Sequence, residues 1–145
     1  MGTVIRLAHA GDAEQLERLN AEFNGPGNAS LAGIHESLMR NRQEFVVAAE
    51  DAGRLVGFVC VQLKRSFCYE DDMPEITEVY VVPENRGKGI AGKMLAFAEA
   101  HVRNTVPFHA IELLTGKTNA AAQSAYRKLL YKEDGETHMV KRMEP

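Results

Sequence analysis

The residues with the clearest chemical potential form a bend between an apolar strand and a helix. The bend follows Pro83 and carries three glycines and three basic residues, namely Gly87, Gly89, Gly92, Arg86, Lys88 and Lys93. Glycine has no side chain to keep a ligand away from the backbone. The first-turn amides of a helix lack intrahelical partners and favour an anion at the helix N-terminus. The segment therefore predicts a cradle for a phosphate or pyrophosphate group.

The sequence of the bend also admits other interpretations. Glycines before a helix also occur in turns that bind no ligand, and on spacing alone that interpretation stays open. The P-loop requires Gly, four residues and then Gly-Lys-Ser/Thr, which residues 83–93 lack. The dinucleotide-binding fingerprint normally opens the first βαβ unit of a parallel sheet, whereas this bend follows about four predicted strands. Neither of these two phosphate motifs fits.

Two motifs make the chain resemble the GNAT superfamily of N-acetyltransferases. Residues 86–91, Arg-Gly-Lys-Gly-Ile-Ala, match the family's Arg/Gln-x-x-Gly-x-Gly/Ala signature, and residues 79–83 match the strand before it. The Asn-x-x-Ala-x-x-x-Tyr pattern of a later helix in the family is reproduced by Asn119, Ala122 and Tyr126. The family often continues with Gly-Phe, where this chain has Leu130 and Tyr131. The order of strands and helices is also similar, so the resemblance covers nearly the whole chain.

The resemblance implies acetyl-CoA as the cosubstrate. In the family, a bulge in the fourth strand frees backbone groups, which pair with the pantetheine arm of the coenzyme. The amides of the bend would hold the pyrophosphate, and an asparagine of the later helix would bind the coenzyme further along. The residues expected to bind acetyl-CoA are Val79, Tyr80, Val81, Arg86, Gly87, Lys88, Gly89, Ile90, Ala91, Gly92 and Asn119.

Two residues are expected to move protons during acetyl transfer. The acceptor amine must lose a proton before it attacks a thioester, and a carboxylate can accept that proton directly or through water. Strand alternation predicts one face made of Ile76, Glu78, Tyr80 and Val82. A carboxylate among apolar neighbours makes Glu78 the first candidate base, with Glu75 or water as alternatives and a simple ion pair to lysine or arginine as the structural interpretation. By resemblance, Tyr126 donates a proton to the departing thiolate, although a role in the core is the alternative.

The acceptor is expected near an acidic loop between the third and fourth strands. That loop carries Glu70, Asp71, Asp72 and Glu75. In the family the loop borders the acceptor pocket, which implies a cationic amine such as a polyamine, an aminoglycoside-like sugar or a lysine-rich peptide. A solvated run of charge is an equally open interpretation. The polar loop 24–28 is a second candidate wall, and its glycines would let it move as a lid.

Hydrophobic periodicity predicts a single α/β domain over residues 1–145. Predicted strands cover 3–7, 44–50, 55–63, 75–82, 110–114, 131–132 and 137–142. Two predicted helices follow the first strand, one follows the fourth strand and one follows the fifth. The expected architecture is GNAT-like, with a mixed, largely antiparallel central sheet flanked by helices. Asp12 with Gln15, then Ser30, and finally Thr118 are expected to cap helices.

Composition narrows the expected partners and location. A net charge of −3 argues against nucleic acid and anionic membranes as partners. No segment resembles a signal peptide or a membrane span, and the two cysteines lack metal-ligand spacing. A cytoplasmic protein without a metal site is therefore expected. The expected partner is a small-molecule amine or a peptide, and the resemblance allows a homodimer.

Three functions compete at this point. The resemblance implies an N-acetyltransferase in which the acceptor attacks acetyl-CoA directly in a ternary complex. A degenerate domain that senses acetyl-CoA without catalysis is the first alternative, and Asn119 with Tyr126 argues against it. An interaction domain whose bend binds nothing is the second alternative, and the basic residues of the bend argue against it.

Overall fold

A computed structural model describes residues 2–143 of the chain. The strands are β1 (Val4–Leu7), β2 (Glu44–Asp51), β3 (Arg54–Gln62), β4 (Glu75–Val81) and β5 (Glu112–Leu113). The α-helices are α1 (Ala13–Asn24), α2 (Leu31–Arg40), α3 (Ile90–Arg103) and α4 (Ala120–Lys128). Short 3-10 turns at Ala10–Asp12 and Pro83–Asn85 precede α1 and α3. Two compact units divide the chain, one ending at Leu114 and the other beginning at Thr115.

The first unit contains one five-stranded sheet in the order β1-β2-β3-β4-β5. Neighbouring strands from β1 to β4 run antiparallel, whereas β4 and β5 run parallel. The predicted mixed, largely antiparallel sheet is thereby confirmed. The parallel pair requires a crossover, which α3 supplies, because a short turn cannot join parallel strands.

Strand β3 is the centre of this sheet and is buried on both faces, as its nearly continuous apolar sequence predicts. Phe58 contacts Phe23 of α1, and the adjacent Gly57 lies against Met94 of α3. Because adjacent strand residues point to opposite faces, α1 and α3 cover opposite sides of the sheet. A Cβ at Gly57 would lie 2.7 Å from the carbonyl oxygen of Tyr80, so this position requires glycine.

The predicted cap of α1 is wrong in its details. Asp12 is buried and makes no side-chain cap; its carboxylate oxygens accept from the Arg6 guanidinium at 2.8 and 2.9 Å and from the backbone N–H of His9. Gln15 likewise accepts from the backbone N–H of Leu55. A charged guanidinium is a stronger partner for a buried carboxylate than a helix amide. By contrast, the Ser30 cap of α2 is confirmed, since its hydroxyl oxygen accepts from the N–H of Gly33.

The second unit contains α4 and a long irregular tail. Asn119, rather than Thr118, caps α4, because its side-chain oxygen accepts from the N–H of Ala122. The predicted strands at 131–132 and 137–142 are absent from the part of the chain that the structure describes. Alternating residues become a strand only when another edge pairs with them, and no strand pairing involves these residues. None of the helices within residues 2–143 combines the length and apolar character needed to cross a membrane.

Candidate active site

Strand β4 contains a bulge at Thr77. Cys60 of β3 opposes Glu78, but the next residue of β3, Val61, opposes Ile76, which leaves Thr77 without a partner in the register. Residues that oppose each other share a face, and adjacent residues of β3 do not. The prediction that Ile76 shares a face with Glu78 is therefore wrong. The extra residue turns Ile76 towards the α3 side and leaves Glu78 with Tyr80 on the α1 side.

One edge of β4 is open beyond the bulge. Strand β5 pairs only with Glu75 and Ile76, so the later part of β4 has no strand neighbour on that side within residues 2–143. On the other side, the N–H of Val82 donates to the carbonyl of Val56. Alternate residues of an antiparallel strand face alternate edges, so the N–H and C=O groups of Val79 and Val81 face the open edge. These are the backbone groups that an extended ligand can reach.

The glycine bend presents a row of amides at the start of α3. Gly87 and Gly89 have φ of +79° and +77°, a left-handed conformation that favours glycine. In residues 2–143, the first amide of this region with a backbone partner is that of Lys93, which donates to Gly89. The amides of residues 87–92 have no acceptor among the described residues. A Cβ at Gly92 would meet nothing within 4 Å, so open space adjoins the backbone there.

Arg86 contacts the protein itself at the base of this bend. Its Nε donates to the carbonyl of Val81 at 2.8 Å, and its guanidinium lies 5.6 Å from the centre of the Tyr80 ring. These contacts tie the bend to the end of β4. Lys88 and Lys93 are exposed and form no ion pair with any described residue. The positive charge available to an anion therefore comes mainly from these two lysines and the helix amides.

Glu78 lies half-buried on the face that α1 covers. One oxygen of its carboxylate accepts from the side-chain amide of Asn24 at 3.1 Å. Phe23, the residue before Asn24, stacks on Tyr80 with 5.0 Å between ring centres. Within the described residues, the partner of Glu78 is an amide, and no lysine or arginine pairs with it. The alternative interpretation, in which Glu78 forms an ion pair with a lysine or arginine, is therefore wrong for the described residues.

Glu44 is a second carboxylate on this face, and the sequence analysis missed it. It accepts from the side-chain amide of Gln62 at 3.1 Å. Burial raises the pKa of Glu44, and the nearby negative charge of Glu78 raises it further, against the opposing effect of Gln62. Cys60 lies in β3 between the two strands, and burial together with these carboxylates raises the pKa of its thiol. The period-two pattern of β2 and β3 was the signal that could have placed these residues together.

The acidic loop borders a pocket of about 450 Å³. Its walls are formed by Lys64, Arg65, Ser66, Tyr69, Asp71, Asp72, Met73 and His109. Three of the four predicted carboxylates already have basic partners. Glu70 pairs with Arg65, Asp71 lies 3.2 Å from the Nδ1 of His109, and Glu75 lies 3.0 Å from the Nζ of Lys64. The carboxylates of the loop therefore lie among basic side chains and do not form a bare acidic surface.

Tyr126 and Asn119 belong to the second unit. Tyr126 lies half-buried in α4, and its ring meets that of Tyr131 edge-on with 6.3 Å between centres. Burial raises the pKa of the Tyr126 phenol, which keeps it protonated at neutral pH. The side-chain oxygen of Asn119 is engaged by the N-terminus of α4.

Comparison with known proteins identifies the family. The profile of the acetyltransferase (GNAT) family matches residues 13–130, which include both the glycine bend and α4. The chain belongs to this family. Members of the GNAT family use acetyl-CoA as the acetyl donor.

Curated relatives of this GNAT chain are 35% identical to it over the aligned segments. A mycothiol acetyltransferase of Pseudarthrobacter chlorophenolicus is 35% identical over 104 residues, which cover 70% of this chain and 31% of that protein. An uncharacterized N-acetyltransferase of Archaeoglobus fulgidus is 35% identical over 92 residues, covering 61% of this chain and 60% of that protein. The chain thus spans about a third of the former and about three fifths of the latter.

Solved structures share the fold of this GNAT chain at low identity. A ribosomal-protein-alanine N-acetyltransferase from Brucella melitensis superposes with a TM-score of 0.78 at 19% identity, covering 97% of this chain and 100% of that one. An aminoglycoside acetyltransferase from an uncultured soil metagenomic sample, in complex with sisomicin, has a TM-score of 0.85 at 16% identity, covering 98% and 97%. These likenesses concern the fold.

Proposed function

We propose that the protein is an N-acetyltransferase that transfers the acetyl group of acetyl-CoA to a primary amine of a small cationic molecule or a peptide. In this proposal the amine attacks the thioester directly in a ternary complex. The observation that carries the proposal is the row of amides over residues 87–92, which lack acceptors among residues 2–143 and follow the open edge of β4.

The two features suit different parts of acetyl-CoA. A pyrophosphate is a doubly charged anion, and the N-terminus of α3 offers it convergent N–H donors. The pantetheine arm contains amides, which can pair with the N–H and C=O groups of an open strand edge. Val79 and Val81 present such groups, although Arg86 occupies the carbonyl of Val81. The arm would either displace Arg86 or pair with the remaining groups.

The chain's own residues would supply proton transfer and charge stabilisation. Glu78 would accept the proton of the acceptor ammonium, directly or through water. The N–H of Val81 faces the open edge and would stabilise negative charge on the thioester oxygen. By the motif resemblance, Tyr126 would donate a proton to the departing thiolate. Because acetyl-CoA brings an activated acyl group, most of the catalysis would come from positioning.

The acceptor would bind at the pocket beside the acidic loop. Glu70, Asp71, Asp72 and Glu75 are proposed to attract a cationic amine, which would compete with the basic residues that now pair with three of them. Exposed ion pairs contribute little to stability, so an incoming ammonium can exchange with them at small cost. The exposed ring of Tyr69 offers an apolar contact at the same pocket.

Two measurements test the proposal. Acetyl-CoA should raise the melting temperature of the purified protein. Acetate and free adenosine should not raise it, because each lacks both the pyrophosphate and the pantetheine arm. Thiol release from acetyl-CoA should then require an amine. The solved structures named above suggest aminoglycosides and alanine-bearing peptides for the panel, and polyamines and amino acids complete it. Binding without release for any amine would favour the sensor alternative, and no thermal shift would contradict both.

A further inference from the structure

The end of α1 makes two neighbouring contacts with β4. Phe23 stacks on Tyr80, and Asn24 donates to Glu78. The pairing joins consecutive residues of the helix to residues of β4 that share a face. The helix end and the strand are therefore held in one register, with the amide of Asn24 directed at the carboxylate.

The amide of Asn24 is fully engaged. Its Nδ2 donates to the side-chain oxygen of Asn20 at 2.8 Å and to Glu78 at 3.1 Å, which uses the two hydrogens of one NH₂ group. Asn28 donates to the backbone carbonyls of Asn24 and Gly25 and so holds the end of the helix. The orientation of the Asn24 amide is thus fixed by its contact with Asn20 and by the contacts that hold the end of α1.

We propose that Asn24 is a positioning residue for Glu78, which fixes the direction of its carboxylate. The inference rests on the proposed function, in which Glu78 accepts a proton from the acceptor amine. A carboxylate held by an oriented donor samples fewer directions, so the oxygen that receives the proton stays in one place in the site. Asn24 does not itself touch the reacting atoms in this scheme.

The other groups around Glu78 give its carboxylate little stabilisation, so the contact with the Asn24 amide matters. On the same face lie the thiol of Cys60 directly opposite, the carboxylate of Glu44 on β2, and the ring of Tyr80 with Arg86 over it. Glu44 repels a charged Glu78, and a neutral thiol gives it little support. Within residues 2–143, the amide of Asn24 is the hydrogen-bond donor that contacts the Glu78 carboxylate.

Asn24→Ala tests the proposal in two ways. At neutral pH, the ¹³C chemical shift of the Glu78 carboxyl carbon in glutamate-labelled protein should change, because the carboxylate loses its hydrogen-bond donor. The kcat for amine acetylation should fall roughly tenfold, the equivalent of one hydrogen bond to a charged group, while the KM for acetyl-CoA stays unchanged.

Controls separate positioning from folding. Asn41→Ala removes a comparable asparagine, whose side chain accepts from the backbone N–H of Gln43 at the end of α2, and should leave both the Glu78 chemical shift and kcat unchanged. In the Glu78→Gln background, Asn24→Ala should cause no further loss of kcat, because its target is gone. An unaltered Glu78 chemical shift in Asn24→Ala overturns the inference, even in an active enzyme. A changed chemical shift in a protein that acetylates no amine supports the contact and counts against the proposed function instead.

Discussion

The glycine bend and the acidic loop prepare for their ligands in opposite ways. In the bend, backbone amides over residues 87–92 are without acceptors in the described chain, and the glycines leave open space around them. In the loop, side chains of both signs already pair, as Glu75 does with Lys64. Backbone donors at a helix start are held by the fold and need no rearrangement to meet an anion. Charged side chains in a loop must exchange partners, so we expect this region to set acceptor preference more than affinity.

Gly89→Glu should have the largest effect, because it alters the anion-binding backbone of the glycine bend. The substitution strains a residue with φ of +77° and places a negative charge in the anion cradle. Acetyl-CoA binding should weaken roughly a hundredfold or more, about 3 kcal/mol, measured by isothermal titration calorimetry. Gly53→Glu is the matched control, since Gly53 has φ of +78° in the turn between β2 and β3 and also has open space around it. Normal coenzyme binding by Gly89→Glu would remove the bend from the site.

Tyr126→Phe separates chemistry from coenzyme binding. The phenol is proposed as a general acid, so its loss should lower kcat roughly a hundredfold while the Kd for acetyl-CoA stays nearly constant. Because burial raises the Tyr126 pKa, the wild-type rate should be kept through mildly alkaline pH and lost as the phenol ionises above its ordinary value near 10. That alkaline limb should be missing in the variant. Equal turnover for both proteins at every pH would exclude the role.

Asp71→Asn tests the role of the acidic loop in acceptor binding. Removal of this carboxylate should raise the KM for a cationic acceptor by roughly two- to fivefold, because exposed charge pairs are worth under about 1 kcal/mol. The effect should shrink at high salt, and the Kd for acetyl-CoA should not change. Asp51→Asn, at the end of β2, makes the same charge change away from the pocket. If the two variants give the same KM, the loop is only a solvated charge run.

Asp12→Asn should spare both regions and affect only the framework. Burial raises the pKa of Asp12, but hydrogen bonds from Arg6 and His9 outweigh it and hold the pKa below its usual range. The lowered pKa contributes stability above the unfolded value near 4 and loses it as pH falls through the folded value. The variant should lose about 1–3 kcal/mol at neutral pH and show a weaker acid dependence, measured by urea unfolding. A stability difference that persists unchanged at pH 2 would contradict this account.

The acceptor side shows where sequence reasoning stops. The glutamates and aspartates of the loop could be located along the chain, but Lys64 and His109 lie before and far after them. Which carboxylate meets which base depends on how the β3–β4 loop meets the segment before β5, where Asp72 forms an isolated bridge with Phe108. The contact between Asp71 and His109 joins residues 38 positions apart, and no local pattern encodes it.

The bend, the helix start at Ile90 and the order of most strands were determined by the sequence itself, because glycine conformations, caps and hydrophobic periods arise from neighbouring residues. The bulge at Thr77 was expected only by resemblance, and its position was decided by the register between β3 and β4. That register turned Glu78 towards Asn24 and Glu44 and turned Ile76 away. Strand pairing and side-chain contact belong to the tertiary structure, since each depends on a partner distant in the chain.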